Sequence, residues 1–131
     1  MHARYGDFGM QPLPADRFEP PAGCFMVAWI DGEPRGCGGY RVLIPGIAEI
    51  KRMYVKASMR RQGLGRLILA ELERLAQAAG YQEMWLETGT EQPEAMALYP
   101  SHGYLPIPCY QHEYADDSRS RCFAKNLSSD R

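Results

Sequence analysis

The sequence predicts an α/β (α+β) fold, in which a mixed, mostly antiparallel sheet contains one parallel strand pair and is flanked by helices. Three observations predict it. Short apolar runs separated by turn dipeptides in the first half of the chain indicate an antiparallel meander. An amphipathic helical pattern then lies between two strand patterns, which predicts a parallel crossover. The length of 131 residues suits one domain and is too short for two of ordinary size.

Composition and charge exclude several classes of protein. The formal net charge of -1 argues against a general binder of nucleic acid or of membrane surfaces. No charged-then-apolar leader opens the chain, and no apolar run approaches the ~20 residues of a membrane span. The four cysteines lie far apart without a C-x-x-C pair, which predicts reduced thiols and neither a zinc site nor a redox motif: Cys24, Cys37, Cys109 and Cys122. We therefore predict a cytoplasmic protein without a metal.

Residues 1–22 mix Gly, Pro and charge without a sustained period, which predicts an irregular N-terminal arm. The single domain is then expected at residues 23–131. No internal repeat divides it.

The domain begins with three antiparallel strands, predicted at residues 25–30, 36–43 and 48–55. The dipeptides Asp31-Gly32 and Pro45-Gly46 between them favour tight turns. With strict alternation along the third strand, Glu49 and Met53 lie on the same face.

A helix follows, with apolar residues at helical spacing and Gly80 as a stop: Leu64, Ile68, Leu72, Leu75 and Ala79. The remaining elements are a strand at 81–88, a short helix at 94–99 with Pro93 in its first turn, a strand from Tyr104, a polar loop at 111–120 and a last strand at 122–127.

The segment before the first helix carries the most specific signal. Helix starts normally have a capping side chain and acidic residues in the first turn, yet here Arg60, Arg61 and Arg66 crowd the positive end of the helix dipole. Gly63 and Gly65 remove Cβ atoms where backbone N–H groups would approach a ligand. The pattern predicts a phosphate cradle. It lacks the Lys-Ser or Lys-Thr of a P-loop, and it fits a dinucleotide fingerprint poorly.

Two motifs resemble those of the GNAT superfamily of N-acetyltransferases. Arg60-Arg61-Gln62-Gly63-Leu64-Gly65 is similar to its acetyl-CoA pyrophosphate loop, Gln/Arg-x-x-Gly-x-Gly/Ala. The segment from Ala95 through Leu98-Tyr99 to Gly103-Tyr104 resembles its Ala-x-x-Leu-Tyr-x-x-x-Gly-Phe/Tyr. The order of predicted elements from 24 to 127 matches the family as well. The resemblance implies that the parallel strand pair is splayed around the cofactor.

The resemblance also implies an activity. The chain is expected to move an acetyl group from the co-substrate acetyl-CoA to a primary amine of a small molecule or amino acid by direct attack. Two alternatives stay open, a non-catalytic acyl-CoA-binding module and a protein or peptide N-acetyltransferase.

Site residues follow from the motif positions. The family's position for the thiolate's proton donor is held by Tyr99, and Glu49 is the candidate general base, with Glu87 competing as base or as a ligand of a cationic substrate. His102 is a further candidate base. The expected cofactor-binding residues are Met53, Tyr54, Val55, Arg60, Arg61, Gln62, Gly63, Leu64, Gly65 and Arg66.

Two departures from the family have consequences. Pro100 directly follows Tyr99 and restricts its backbone. The 22 residues before the first meander strand are also too few for the strand and two helices that usually form the acceptor wall. Apolar surface left uncovered by this shortening predicts a homodimer.

Overall fold

The computed structural model describes residues 8–12, 23–59, 63–90, 93–110 and 120–127. These residues form a seven-stranded mixed sheet in the order β1-β2-β3-β4-β5-β7-β6. The strands are β1 (Phe8–Pro12), β2 (Cys24–Ile30), β3 (Glu33–Ile44), β4 (Ile47–Val55), β5 (Glu83–Gly89), β6 (Leu105–Ile107) and β7 (Ser120–Asn126). The helices are α1 (Leu64–Ala78) and α2 (Pro93–Ser101), and a short 3-10 turn spans Ala57–Met59.

The predicted meander and the helices are confirmed, with bounds that differ by a few residues. Gly80 ends α1 with a φ of +99°, as its position predicts. Of the helices that the structure describes, none is both long and apolar enough to cross a bilayer. The loop predicted at 111–120 lies outside the described residues, apart from Ser120 at the start of β7.

The first strand corrects the prediction of an irregular arm over residues 1–22. Phe8–Pro12 pairs antiparallel with β2, from Phe8 opposite Ile30 to Pro12 opposite Met26. The edge of β2 offers a row of backbone donors and acceptors, which orders a segment too short to show a period of its own. The other residues of the predicted arm lie outside the described part of the chain.

The predicted parallel pairing of β4 and β5 is confirmed, but it is short. The register joins Ile47–Glu49 to Glu83–Trp85. Beyond these residues the two strands line opposite sides of a cavity, with Ile50–Val55 on one side and Leu86–Gly89 on the other. The sheet therefore opens between its two parallel strands.

A β-bulge lies on β4 where the strands separate. Cys37 is opposite Tyr54, and Gly39 is opposite Lys51, so β4 has one more residue than β3 over this stretch. Arg52 adopts a left-handed conformation with a φ of +61°. A bulge of this kind bends the strand and increases its twist.

The bulge reverses the alternation of side chains along β4. Glu49 contacts Arg41 and Tyr110 on one face of the sheet. Met53 packs on the other face beside Gly38, against α1. The prediction that Glu49 and Met53 share a face is therefore wrong, because the extra residue at Arg52 shifts the period of two.

The core lies between the sheet and α1. The buried side of this helix consists of Leu64, Ile68, Leu69, Leu72 and Ala76. It approaches β3 closely at Gly36, where a Cβ would lie 2.8 Å from the Tyr54 carbonyl oxygen and 2.9 Å from Ile68 Cδ1. A missing side chain on β3 therefore sets how closely the helix approaches the sheet.

A disulfide corrects the prediction that all four cysteines are reduced. Cys109 and Cys122 are bonded, with Cα atoms 5.2 Å apart, whereas Cys24 and Cys37 are free. Because β6 pairs with β7 and Ile107 lies opposite Cys122, the chain passes this cysteine again two residues later. The separation of 13 residues along the chain carries no local signal of this pairing.

Gly36→Ala should lower the free energy of unfolding by about 1–3 kcal/mol, because the new methyl group meets a backbone carbonyl that cannot rotate away. Urea unfolding measures the change. Gly9→Ala is the matched control, since a Cβ at Gly9 meets nothing within 4 Å. Equal stability of both variants would contradict the close contacts of Gly36 with the Tyr54 carbonyl of β4 and with Ile68 of α1.

Candidate active site

A cavity of about 900 Å³ occupies the opening between β4 and β5. Its walls are the second half of β4, the end of β5, the start of α1 and one side of α2. A volume of this size holds a drug-sized or cofactor-sized ligand. Two strands and two helices that follow one another along the chain therefore contribute to one site.

The start of α1 lies in the wall of this cavity. Gly63 is the N-cap, with a φ of +91° and no side-chain cap hydrogen bond, and the first turn contains no acidic residue. The first N–H groups of a helix have no partner within the helix, and its dipole makes this end positive. The predicted uncapped helix start is confirmed, and it is placed where it can accept an anion.

Two other residues of the predicted cradle connect the helices. Arg66 lines the cavity and donates a hydrogen bond of 2.9 Å to the Ser101 hydroxyl at the end of α2. A Cβ at Gly65 would lie 3.3 Å from Leu98 Cδ2. Gly65 therefore allows α1 and α2 to pack closely, besides lining the cavity. Arg60, Arg61 and Gln62 lie outside the described residues.

Of the other expected cofactor-binding residues, Met53, Tyr54 and Val55 line the β4 side of the cavity, and Tyr54 is half exposed. Leu64 is fully buried in the core under α1 and is not among the cavity residues. Its side chain anchors the helix start from the inside.

Tyr99 lines the cavity from α2, and its ring packs edge-on against Tyr104 at 5.6 Å and beside Phe123 at 6.2 Å. Only 4% of the residue is exposed. Within the described part of the chain its hydroxyl has no hydrogen-bond partner. Burial raises the pKa of Tyr99 above the ordinary value of a phenol, which is itself protonated at neutral pH.

Pro100 does not break α2 before Tyr99. The helix continues through Ser101, and the N–H groups of His102 and Tyr104 both donate to the Tyr99 carbonyl, at 3.1 and 3.0 Å. Gly103, with a φ of +94°, ends the segment. Pro100 removes one hydrogen bond, to the carbonyl of residue 96, but it does so one residue before the end of α2, and Tyr99 stays in the cavity wall.

Glu49 is not among the residues that line the cavity, although its neighbour on β4, Ile50, is. Its side chain is fully buried. Oε1 lies 3.3 Å from Arg41 Nε, and Oε2 lies 3.7 Å from Lys51 Nζ and accepts a hydrogen bond of 2.8 Å from the Tyr110 hydroxyl. A buried carboxylate requires such partners, which hold it in one orientation.

Glu87 and Tyr110 lie on this same side of the sheet. Glu87 lines the cavity near the end of β5. The Tyr110 ring packs on Trp85 with 5.3 Å between centroids. Burial raises the pKa of Tyr110, and the charges of Glu49 and then Glu87 raise it further. Tyr110 is a site residue that the sequence did not reveal, because 61 positions separate it from Glu49.

His102 belongs to a different network. Its Nε2 lies 3.6 Å from Glu73 Oε1, which also contacts Lys125 Nζ at 2.9 Å, and the Tyr104 hydroxyl donates to Glu73 Oε2 at 2.7 Å. Burial raises the pKa of Glu73, but hydrogen bonds from His102, Lys125 and Tyr104 outweigh it and the net pKa is lowered. The cavity lining does not include His102.

A trio of metal-type ligands also adjoins the cavity. The ligand atoms of Glu87, Cys109 and Cys122 lie within 4.8 Å of one another. The two sulfur atoms are bonded to each other, and a disulfide is not the thiolate that a metal requires. The expectation of no metal stays a prediction.

The model of the acetyltransferase (GNAT) family matches residues 2–104 of the chain. Among curated proteins, the IAA acetyltransferase of Azospirillum brasilense is 38% identical over 81 residues, which are 61% of this chain and 53% of that protein. The uncharacterized N-acetyltransferase YsnE of Bacillus subtilis is 31% identical over 117 residues, 88% of this chain and 77% of that protein. The chain thus spans little more than half of the first relative.

Solved structures share the fold. A crystal structure from Klebsiella pneumoniae assigned to the acyl-CoA N-acyltransferases has a TM-score of 0.81 and 26% identity, covering 92% of this chain and 97% of that chain. A GNAT family acetyltransferase from Elizabethkingia anophelis with acetyl-CoA bound has a TM-score of 0.75 over 92% of this chain and 99% of that chain. At 16% identity, the second likeness shows the fold alone.

Two neighbouring tyrosines should respond differently to loss of their hydroxyl groups. Tyr99→Phe should change the free energy of unfolding by less than about 0.5 kcal/mol, since the ring packing remains. Tyr104→Phe removes the donor to Glu73 and should cost about 1.5–3 kcal/mol. Urea unfolding of both variants tests this. Equal losses would make the Tyr99 hydroxyl a structural group.

Proposed function

Since the chain belongs to the acetyltransferase (GNAT) family and is an acyltransferase, we propose that it moves an acetyl group from acetyl-CoA to a primary amine of a small molecule or amino acid. The observation that carries the proposal is the cavity between β4 and β5, which joins an uncapped helix start to a buried, protonated tyrosine. The IAA acetyltransferase among its relatives supports a small-molecule acceptor.

The cavity fits the co-substrate. Met53–Val55 would follow its amide-containing arm along β4, and the N–H groups after Gly63 would bind its pyrophosphate. A Gly at the cap leaves the cavity wall open where a Cβ would otherwise project. We assign Arg60, Arg61 and Gln62 to this half of the site from the sequence motif, and Arg66 from its place in the cavity wall.

The reaction forms a C–N bond and breaks the C–S bond of the thioester. The neutral amine nitrogen attacks the thioester carbonyl carbon, the departing thiolate takes a proton, and the acetylated nitrogen loses a proton to become the amide. Tyr99 fits the role of proton donor to the thiolate, because it lines the cavity and its hydroxyl is not committed to another described residue. The proton lost by the acetylated nitrogen then restores the phenol. The acceptor ammonium must first lose a proton to a base.

Two carboxylates lie on the acceptor side of the site, and we propose a different role for each. Glu87 lines the cavity, where we propose that it binds a cationic amine. Glu49 is buried and is held by Arg41, Lys51 and Tyr110, and we propose it as the base that takes the proton of the acceptor ammonium.

The acceptor could also be a peptide in place of a small amine, and assays with a panel of amines and peptides would reveal this. The cytoplasmic location and the homodimer stay predictions. The exposed side chains of Val42 and Ile44 are apolar surface of the kind on which the homodimer prediction depends.

CoA should raise the melting temperature by several degrees at about 100 times its Kd. Gly63→Val should abolish this shift, because a branched side chain would project at the helix start. Gly80→Val is the matched control: it also places Val at a positive φ, +99°, but at the far end of α1 with nothing within 4 Å. A CoA shift that survives in Gly63→Val would move the cradle elsewhere.

Tyr99→Phe should lower kcat by about 10²- to 10⁴-fold and leave the CoA-induced thermal shift intact, as expected for a lost general acid. Steady-state kinetics across an amine panel measures this. Glu49→Gln should remove the acid limb of the pH–rate profile, whereas Glu87→Gln should mainly raise KM for cationic amines. If Glu87→Gln instead removes the acid limb, the base is Glu87.

A further inference from the structure

The segment that follows β6 is held against the site by three contacts within the described residues. The Tyr110 hydroxyl donates to Glu49 Oε2, the Tyr110 ring packs on Trp85, and the preceding residue, Cys109, is bonded to Cys122 of β7. Pairing of β6 with β7 ends at Ile107. The disulfide is therefore the covalent tie of this segment to the sheet.

These contacts converge on the acceptor side of the cavity. Cys122 lies opposite Glu87 in the β5–β7 ladder, and the sulfur atoms lie within 4.8 Å of the Glu87 carboxylate oxygen. Tyr110 and Lys51 both contact Oε2 of Glu49, and Lys51 lines the cavity. Together, these residues form one continuous cluster: the Cys109–Cys122 disulfide, Tyr110, Glu49 and Glu87.

The chemistry of Tyr110 suits a positioning role. Its hydroxyl is a neutral donor to a carboxylate that also contacts the cations Arg41 and Lys51. Removal of this donor would leave Glu49 buried with an oxygen less well satisfied, which changes both its orientation and its proton affinity. Cys109, the residue before Tyr110, is bonded to Cys122 of β7.

We infer that Tyr110 is a positioning residue for Glu49 and that the Cys109–Cys122 disulfide holds it there, so that reduction of this bond slows acetyl transfer. The inference rests on the proposed function. A dithiol reductant supplies two electrons and two protons: the S–S bond breaks, two thiols form, and the reductant becomes a disulfide. On the proposed cytoplasmic location such a bond would be reversible, since cytosolic disulfides are usually transient or redox-sensing.

Trp85 provides a readout that does not depend on activity. The chain contains two tryptophans, so Trp29→Phe leaves Trp85, which packs on Tyr110, as the single tryptophan whose emission is recorded. In this background, dithiothreitol should change the Trp85 emission and lower kcat by about 10-fold, the size of one lost positioning hydrogen bond. KM for acetyl-CoA and the CoA-induced thermal shift should stay unchanged, because the other half of the site is untouched.

Substitutions separate the tie from the tyrosine. Cys122→Ser should show the reduced-state emission and kcat with or without dithiothreitol, and Cys109→Ser, at a half-buried position, is the second variant if Cys122→Ser does not fold. Cys37→Ser changes a free thiol and should keep the full response. Tyr110→Phe keeps the ring on Trp85, so the emission should still respond to reduction while kcat is low and its pH profile shifted in both states.

The outcomes are distinct. An identical Trp85 emission before and after reduction, or a wild-type kcat and pH profile in Tyr110→Phe, would overturn the inference. If no amine or peptide is acetylated in either state, the proposed function fails. In that case, a change of Trp85 emission on reduction that disappears in Cys122→Ser still supports the disulfide as the tie that holds Tyr110. If reduction leaves the emission unchanged, the disulfide does not hold Tyr110 and this part of the inference is overturned as well.

Discussion

The site depends on the early end of the pairing between β4 and β5. Two parallel strands that stayed paired would leave no room for a ligand, because neighbouring strands lie only about 4.8 Å apart. Here the ladder joins three residues of each strand and then gives way to a cavity. The bulge at Arg52 lies on β4 just past this point, where extra twist bends the strand. The cavity begins where the ladder between β4 and β5 ends, and the uncapped start of the crossover helix α1 lines the same cavity.

The same bulge assigns the two faces of β4 to different tasks. On one face Met53 joins the core beneath α1, whose close approach to the sheet Gly36 of β3 allows. On the other face Glu49 is buried among polar partners instead of apolar ones. Without the extra residue, alternation would place Met53 beside Glu49 and leave a gap under the helix. Packing and acceptor chemistry are therefore separated by a single inserted residue.

Three tyrosines show how surroundings divide one side-chain type among different roles. Burial raises the pKa of Tyr99, Tyr104 and Tyr110 alike. Tyr104 donates a hydrogen bond to a structural carboxylate between α1 and β7, and Tyr110 donates one to Glu49. Tyr99 remains in the cavity wall with an uncommitted hydroxyl among the described residues, which is the arrangement that a proton donor to a leaving group requires.

The sequence by itself determined the order of strands and helices and the start of α1, because hydrophobic periods, turn dipeptides and caps are local signals. It also placed Tyr99 in a recognisable motif. It did not reveal the bulge, since Arg52 is an ordinary residue held at a positive φ by its neighbours. Nor did it reveal the bond between Cys109 and Cys122 or the contact of Tyr110 with Glu49. These pairs are separated by 13 and 61 positions, and only the pairing of β6 with β7 and the burial of Glu49 bring them together. Contacts between distant segments leave no periodic trace in a single chain, so the tertiary structure alone decided the acceptor half of the site.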